Sequence, residues 1–323
     1  MSPDSRAPAC AILIGCLCAS APLAAQTYPS KPVRLLIPFA PGGGTDILAR
    51  MVAQRLSEVL GYPMVADNRP AVDGVVASET LARSAPDGYT LLLVSSSHAI
   101  NPAIGRKLPY DTIRDFAPIT QTASQQMFLV VHPSLPIKSV KELIDYAKAK
   151  PNSLNYGSSS NATALPMELF NSMAGIKTTH IPYKGSAPML NDLLGGQINL
   201  SIAAAVSALP HIKAGRLRNL GIGDSKRSTI LPDLPTIAEA GVPGYQAVIW
   251  SGMLAPAKTP RAIIDKLYQE TARVVQAPEF KERLVQLGSD AVGSTPEQWG
   301  AFIKTEIEKW EKIAKIAGVK SGD

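Results

Sequence analysis

Three glycines separate an apolar run from a long periodic segment, and the bend that they form could bind an anion. The stretch reads PFAPGGGTD from Pro38 to Asp46 and overlaps the β-rich run VRLLIPF. The N-terminus of a helix presents unpaired backbone N–H groups and about half a positive charge, and glycines let a ligand approach the backbone closely. An ordinary tight turn, in which Asp46 only caps the helix, is the alternative. The bend alone does not decide between these roles.

Three further apolar runs end in small residues that could share one site with this bend. LLLV leads into SSSHAINP, LNYG into SSSNAT, and INLSI into AAAVSA, and these ends carry no Lys or Arg. Because ligands of open α/β sheets bind where parallel strands end, we expect a small cavity lined by hydroxyls and backbone donors. Several helix-end interactions of about 0.3 to 1 kcal/mol each could hold a carboxylate there. Capping and turn formation are the alternative roles of the serines.

Signatures of other chemistry are weak in this sequence. The histidines His98, His132, His180 and His211 lack metal-ligand spacing, and no GK[ST] follows the glycine bend to make a nucleotide loop. The letters GDS ending at Ser225 and the adjacent pair Ser97 and His98 are hints of a serine hydrolase, but no G-x-S-x-G elbow is present. The sequence therefore predicts a binding protein, with no metal and no cofactor, and hydrolysis is the less favoured alternative.

Alternating β-rich runs and helical patterns would position these residues. Apolar residues at three- and four-residue steps predict a helix from Asp46 to Leu60 that ends at Gly61, and a second helix is expected near Ser78 to Ala85. This β-α-β-α order predicts a parallel sheet. A second α/β block starts at Met127, with helices from Ser139 to Ala149 and around Met167 to Ala174.

The length and the order of these elements predict two lobes. A chain of 323 residues with 46% apolar content can bury a large core. The last two predicted helices, Pro260 to Gln276 and Pro296 to Ala317, have no sheet of their own, so the chain is expected to return to the first lobe. We predict lobe 1 from residues 26–125 with 250–323 and lobe 2 from residues 126–249. Two crossings would connect the lobes across a cleft.

The net charge and the first 25 residues indicate the kind of partner that the protein binds and where the protein is located. The net charge is +6, yet no Lys/Arg block occurs and 6% of residues are aromatic, which favours anionic small molecules over nucleic acid. Residues 1–25 predict a signal peptide, because Arg6 precedes an apolar run of small residues. Lipoprotein processing at LIGC, which would leave a lipid on Cys16, is the alternative. All three cysteines lie in this segment, so no disulfide is expected.

Six ordered motifs resemble the tripartite tricarboxylate transporter receptor family, the Bug-type periplasmic solute-binding proteins. They are YPSKPVRLLIPFAPGGGTDILAR, PDGYTLLLVSSSHAINP, IPYKGSAPMLNDLLGGQI, ALPHIKAGRLRNL, LPDLPTIAEAGVPGY and APAKTP. The resemblance implies a two-lobed α/β periplasmic binding fold of type II that closes like a flytrap on a small carboxylate. It also implies a periplasmic monomer that delivers this ligand to a membrane permease. A sensor that presents the same closed form to a signalling protein is the alternative.

The resemblance further implies which residues bind the ligand. The bend would hold one carboxylate, and the loops from Ser95 to His98 and from Ser158 to Thr163 would complete the cleft from the two lobes. The expected ligand-binding residues are Phe39, Gly42, Gly43, Gly44, Thr45, Asp46, Ser96, Ser97, His98, Ser159, Asn161, Thr163 and Ala203.

Three departures from the family pattern affect the expected ligand. After NRP the chain reads AVDG, which puts Asp73 beside one cleft wall, and the segment YGSSSNATALPMELF is shorter than in relatives, which leaves the register near Asn161 open. Ala203 stands where many relatives carry an Asp, so an amino acid is less favoured as the ligand. An aromatic or otherwise more apolar carboxylate fits an alanine-lined wall better, and a dicarboxylate stays open.

Overall fold

The computed structural model of the protein describes residues 28–319, which form two α/β lobes. The predictions of a signal peptide over residues 1–25 and of a lipid on Cys16 lie outside these residues. Within the described part, no helix is both long and apolar enough to cross a membrane.

Each lobe is built on one sheet. Residues 28–319 contain eleven strands, which in chain order are β1 (Val33–Ile37), β2 (Met64–Asn68), β3 (Thr90–Ser95), β4 (Phe116–Gln125), β5 (Met127–Val131), β6 (Asn155–Ser158), β7 (Thr179–Pro182), β8 (Leu200–Ala204), β9 (Arg218–Ile222), β10 (Ile249–Pro256) and β11 (Ser289–Ala291). The sheet of lobe 1 has the strand order β11-β4-β10-β3-β1-β2, and that of lobe 2 has the order β7-β6-β8-β5-β9. The residue boundaries of the two lobes stay a prediction.

The predicted parallel pairing of the first three strands is confirmed, and each sheet as a whole is mixed. Strand β1 pairs in parallel with β2 and β3, and β6 pairs in parallel with β7 and β8. Strand β10 is antiparallel to β3 and β4, and β5 is antiparallel to β8 and β9. Strands β5 and β10 both start at the cleft, where the chain has just arrived from the other lobe. They therefore run away from the edge at which their neighbours end.

The described part of the chain also contains ten helices and one short 3-10 turn, Val72–Gly74. The helices are α1 (Gly44–Leu60), α2 (Val75–Ala82), α3 (Ser97–Ala103), α4 (Val140–Ala149), α5 (Asn161–Ala174), α6 (Ser186–Leu194), α7 (Ala205–Lys213), α8 (Arg261–Gln276), α9 (Pro278–Gln286) and α10 (Pro296–Ala317). Helix α5 begins well before the predicted Met167. Its first turn is made of small and polar residues beside the cleft, so that turn carries no apolar period.

The C-terminal helix α10 packs on both lobes. In its first half, Trp299 and Ile303 lie in a core cluster of lobe 1. In its second half, Trp310 and Ala314 lie in the main core cluster of lobe 2. The helix is therefore a third connection between the lobes, in addition to the two chain crossings.

A buried carboxylate lies at the middle of this helix. Glu306 accepts the indole N–H of Trp250 from lobe 1 at 2.8 Å and that of Trp310 at 2.9 Å. Lys309 donates to its other oxygen at 3.0 Å. Glu306 is 5% exposed, so these bonds satisfy a charge that burial would otherwise disfavour.

We expect the substitution Glu306→Ala to lower the free energy of unfolding by about 2 to 4 kcal/mol, because two buried indole N–H groups lose their acceptor. Urea unfolding followed by circular dichroism measures this loss. Glu308→Ala, at an exposed position of the same helix, is the matched control. Equal losses in the two variants would contradict the role assigned to Glu306.

Candidate ligand-binding cleft

The two lobes meet at a narrow cavity, called here the inner cavity. It leaves about 30 Å³ for the centres of water-sized molecules, which is room for one or two waters, so the lobes are closed. Strand ends of both lobes form its walls, and none of the lining residues is charged. They are Phe39, Gly43, Gly44, Thr45, Ser95, Gln125, Ser159, Ser160, Ala162, Thr163, Gly185, Ser186, Ala204 and Ile249.

The start of helix α1 supplies free backbone donors to this cavity. Gly43 precedes the helix, and no side chain of the described residues caps this end. The amides of Gly44 and Thr45 therefore have no acceptor within the helix, and the rest of residues 28–319 provides none. Helix α1 has 17 residues, so its N-terminus also carries the partial positive charge of a long helix.

Asp46 holds the bend in shape instead of capping α1. Its carboxylate accepts hydrogen bonds from the Gly42 amide at 2.9 Å, from Asn68 at 2.8 Å and from Arg50 at 3.0 Å. Burial disfavours the charged carboxylate, but the bonds from Arg50, Gly42 and Asn68 outweigh it and lower the pKa of Asp46 below its ordinary value. Because this negative charge is compensated locally, it leaves the α1 amides free for another anion.

Gln125 is a cavity residue that was not among the expected ligand-binding residues. It is the last residue of β4, where the chain leaves lobe 1, and only 1% of its surface is exposed. Its Nε2 is buried and has no hydrogen-bond partner within residues 28–319. A half-turn of the amide exchanges its donor and acceptor, so the NH₂ group can face the cavity. Only the position of Gln125 at a predicted crossing could have indicated it, since a single glutamine forms no motif.

The opposite wall of the inner cavity belongs to lobe 2. A hydrogen bond to a hydroxyl and a close contact at a glycine determine its shape. The Ser159 amide donates to Thr163 Oγ1 at 2.8 Å, which fixes the loop before α5. Gly185 has a φ of +128° and lies so close to lobe 1 that a Cβ there would be 3.3 Å from that of Ala40. Small residues at this seam therefore let the lobes approach each other.

The expected residues separate into two groups in the structure. Phe39, Gly43, Gly44, Thr45, Ser159 and Thr163 line the inner cavity. The others lie around it. Ser96 accepts the Trp250 backbone N–H at 3.0 Å. Ala203 lies in the core of lobe 2, and the next residue, Ala204, lines the cavity, because neighbouring residues of a strand face opposite sides.

His98 lies behind this site and does not line the inner cavity. It is 3% exposed and packs between Tyr110 and Phe116, and neither ring nitrogen has a hydrogen-bond partner among the described residues. Burial lowers the pKa of His98 to about 4, so the ring is neutral at physiological pH. The Ser97 hydroxyl also has no hydrogen-bond partner within residues 28–319, so the two side chains do not form a hydrogen-bonded pair.

A larger cavity, called here the outer chamber, adjoins the inner cavity at Ser159 and Ser160. It leaves about 590 Å³ for the centres of water-sized molecules, and most of its wall is apolar. Its apolar walls come from Ala71, Ile104, Ala164, Leu165, Pro182 and Val319, and its polar residues include Asp73, Arg106, Tyr156, Ser158, Asn161, Glu168, His180 and Lys184.

The polar side chains of the outer chamber form a connected group. Tyr156 donates to Glu168, and its ring stacks on His180 at 4.7 Å between centroids. Ser158 is 2.7 Å from Nε2 of the same histidine. Burial lowers the pKa of His180, although the charges of Glu168 and Asp73 oppose this shift. Both carboxylates therefore act on one imidazole at the chamber wall.

Comparisons with known proteins agree on one family. The sequence profile of the tripartite tricarboxylate transporter family receptor (TctC) matches residues 48–319. The chain is 37% identical to Protein BugT of Bordetella pertussis over 305 residues, which cover 93% of this chain and 94% of BugT.

Two solved structures are also similar. R. palustris Rpa4515 with adipate is 40% identical, with a TM-score of 0.89, and covers 91% of this chain and 99% of that one. MatC (Rpa3494) from Rhodopseudomonas palustris with bound malate is 30% identical, with a TM-score of 0.82, and covers 88% of this chain and 99% of that one.

These similarities confirm the predicted resemblance and the two-lobed periplasmic binding fold of type II. The matches cover both lobes and helix α10. The cleft described above is thus the region between the two lobes of a solute-binding architecture.

The buried His98 predicts a loss of stability in mild acid. An unfolded chain protonates this residue near pH 6.5 and the folded chain only near pH 4, so the unfolded state binds more protons between these values. Stability is therefore full above the unfolded value and falls as the pH drops through this window, by about 3 kcal/mol from this residue. Urea unfolding at several pH values measures the slope.

The variant His98→Gln should reduce that slope, and His132→Gln, at a half-buried position outside this cluster, should keep it. An unchanged slope in His98→Gln would show that other groups cause the acid sensitivity.

Proposed function

This chain belongs to the tripartite tricarboxylate transporter family of receptors, and from that membership we propose that it captures a small carboxylate between its lobes and delivers it to a membrane permease of the same transporter type. We propose further that it acts as a monomer in the periplasm and does not catalyse a reaction. Adipate and malate are the ligands named for two similar proteins, and they support a carboxylate as the ligand here.

The free amides of Gly44 and Thr45 in a closed, uncharged cavity are the observation that carries this proposal. A carboxylate there would accept these N–H groups at the positive end of α1, which contributes about 0.3 to 1 kcal/mol and up to about 2 kcal/mol when partly buried. The Gln125 amide and the hydroxyl of Ser159 would add donors from the crossing and from lobe 2. Such donors bind one or two carboxylate oxygens without a salt bridge.

Ligand binding would then be coupled to closure, because the donors come from both lobes. An open form exposes the start of α1, and closure brings the loop before α5 against the bound acid. The two crossings and α10 limit the motion to a hinge between the lobes. A differential affinity of about 5.5 kcal/mol would change the closed fraction from about 1% to about 99%, and weaker coupling would still favour the closed form. The permease would recognise this closed surface.

The direct test is a thermal-shift screen of the purified protein against hexanoate, adipate, malate, benzoate and citrate, followed by calorimetry of the acids that bind. We expect at least one acid to raise the melting temperature, because a ligand that binds only the folded state stabilises it. The uncharged amides of the same acids are the matched controls. Equal binding of acid and amide, or no binding by any acid, would contradict the proposed function.

The side chain of Gln125 allows a second test. Gln125→Leu removes a donor, and we expect the affinity for the tightest-binding acid of that panel to fall by about tenfold. Gln125→Glu keeps the shape but places a negative charge in the cavity, so it should weaken binding further. Calorimetry measures both affinities. If Gln125→Glu binds the acid as well as the unchanged protein does, the assigned role of Gln125 is wrong.

Substitutions at two neighbouring glycines can separate the effect of lobe closure on acid affinity from the effect of the shape of the bend. A Cβ on Gly44 would lie 2.6 Å from Val206 Cγ1 in lobe 2, whereas a Cβ on Gly43 would meet Ser186 at an ordinary 3.6 Å. Gly44→Ala should therefore hinder closure and weaken acid binding by about tenfold or more, and Gly43→Ala should change it little. Calorimetry on both variants measures this. Equal affinities would contradict the close approach of the lobes at Gly44.

A further inference from the structure

We infer that this receptor selects acids with a single carboxylate and an uncharged body, and that Asp73 imposes this selectivity. The inference rests on the proposed function and names the ligand class of the same site. Asp73 stands in the turn that precedes α2 and lines the outer chamber.

The sizes of the two cavities indicate where each part of an acid would lie. The inner cavity has about 30 Å³ for water-sized molecules, which suits the carboxylate group alone. The outer chamber has about 590 Å³ and meets the inner cavity at Ser159 and Ser160. An acid whose carboxylate binds at the start of α1 would therefore extend its body past these serines into the chamber.

The walls of the outer chamber favour an apolar body. Ile104 at the end of α3, Leu165 on α5 and Pro182 at the end of β7 contribute hydrocarbon surface from three elements. Burial of a hydrocarbon chain or an aromatic ring against such surface is favourable, whereas a charged group there loses its hydration.

Asp73 already occupies the donors that a second carboxylate would need. Its Oδ1 accepts the backbone N–H of Asn161, the first residue of α5, at 2.6 Å, and its Oδ2 pairs with Arg106 at 2.8 Å. Only 8% of the Asp73 side chain is exposed. Asp73 thus provides the N-terminus of α5 with a carboxylate from across the cleft. The same carboxylate neutralises Arg106.

The remaining charges of the chamber oppose a second negative group. Glu168 lines the same chamber, and its carboxylate and that of Asp73 both act on His180. The other lysine or arginine of the chamber, Lys184, is exposed at its rim and is screened by water. A second ligand carboxylate would therefore meet the carboxylate of Glu168 and an Asp73–Arg106 pair that is already neutralised, with no free buried cation among the described lining residues. We expect this to weaken binding by about tenfold.

Matched acids that differ by one carboxylate test this inference. Calorimetry should give hexanoate an affinity about tenfold higher than that of adipate, and benzoate should likewise bind more tightly than terephthalate. The variant Asp73→Asn keeps an acceptor for the Asn161 amide and suits the left-handed backbone at this position, where φ is 52°, so the fold should be retained. It also releases Arg106 to pair with a second carboxylate.

In Asp73→Asn we expect adipate and terephthalate to gain about tenfold in affinity, while hexanoate and benzoate change by less than about threefold. The double variant Asp73→Asn with Arg106→Gln should lose that gain. Asp145→Asn, which removes an exposed carboxylate on α4, is the matched control and should keep the original preference.

Diacids that bind the unchanged protein as tightly as their monoacid partners would overturn the inference while leaving the proposed function intact. An unchanged preference in a folded Asp73→Asn protein would also overturn it. If none of the four acids binds, the inference fails, and the proposed function fails with it only when malate and citrate also do not bind.

Discussion

The site depends on one constraint, which is that the first amides of helix α1 must stay without an acceptor from the protein. Gly43 offers no side-chain cap, and Asp46, which is close enough to satisfy an amide, is instead bonded to Gly42, Asn68 and Arg50. Burial of unpaired donors is unfavourable unless something fills the cleft, so the closed form is incomplete by itself. Under the proposed function, the binding energy of an anion would thus arise from backbone geometry, and the side chains of the bend would serve mainly to maintain it.

The sequence predicted the fold and the bend well because both follow from strong local patterns. The apolar period of α1, the glycines before it and the motifs of the resemblance required no tertiary information. The interior positions of the site were harder to predict. Ala203 was expected in the wall that Ala204 occupies, since a shift of one residue in a short strand reverses the side that each residue faces. Gln125 and the interlobe contacts of Asp73 depend on which segments meet across the cleft, and no single segment of the chain encodes that.

The mixed sheets and the bridging helix have a common origin in the crossings. A strand that enters a lobe from the cleft must run against strands that end at the cleft, so β5 and β10 are antiparallel to their main partners. The crossing strand β4 also ends at Gln125, which places a cavity side chain directly on the hinge. In the proposed mechanism, motion of the lobes and occupancy of the cavity would therefore be linked through Gln125.

The position of the aromatic residues on this hinge has a practical consequence. All three tryptophans of the chain lie along α10 or against it, with Trp250 and Trp299 at 5.1 Å between ring centroids and Trp250 and Trp310 bound to the same carboxylate. We expect a rotation of one lobe against the other to change the electric field at these indoles. Their ultraviolet emission would then report opening and closing without an attached dye.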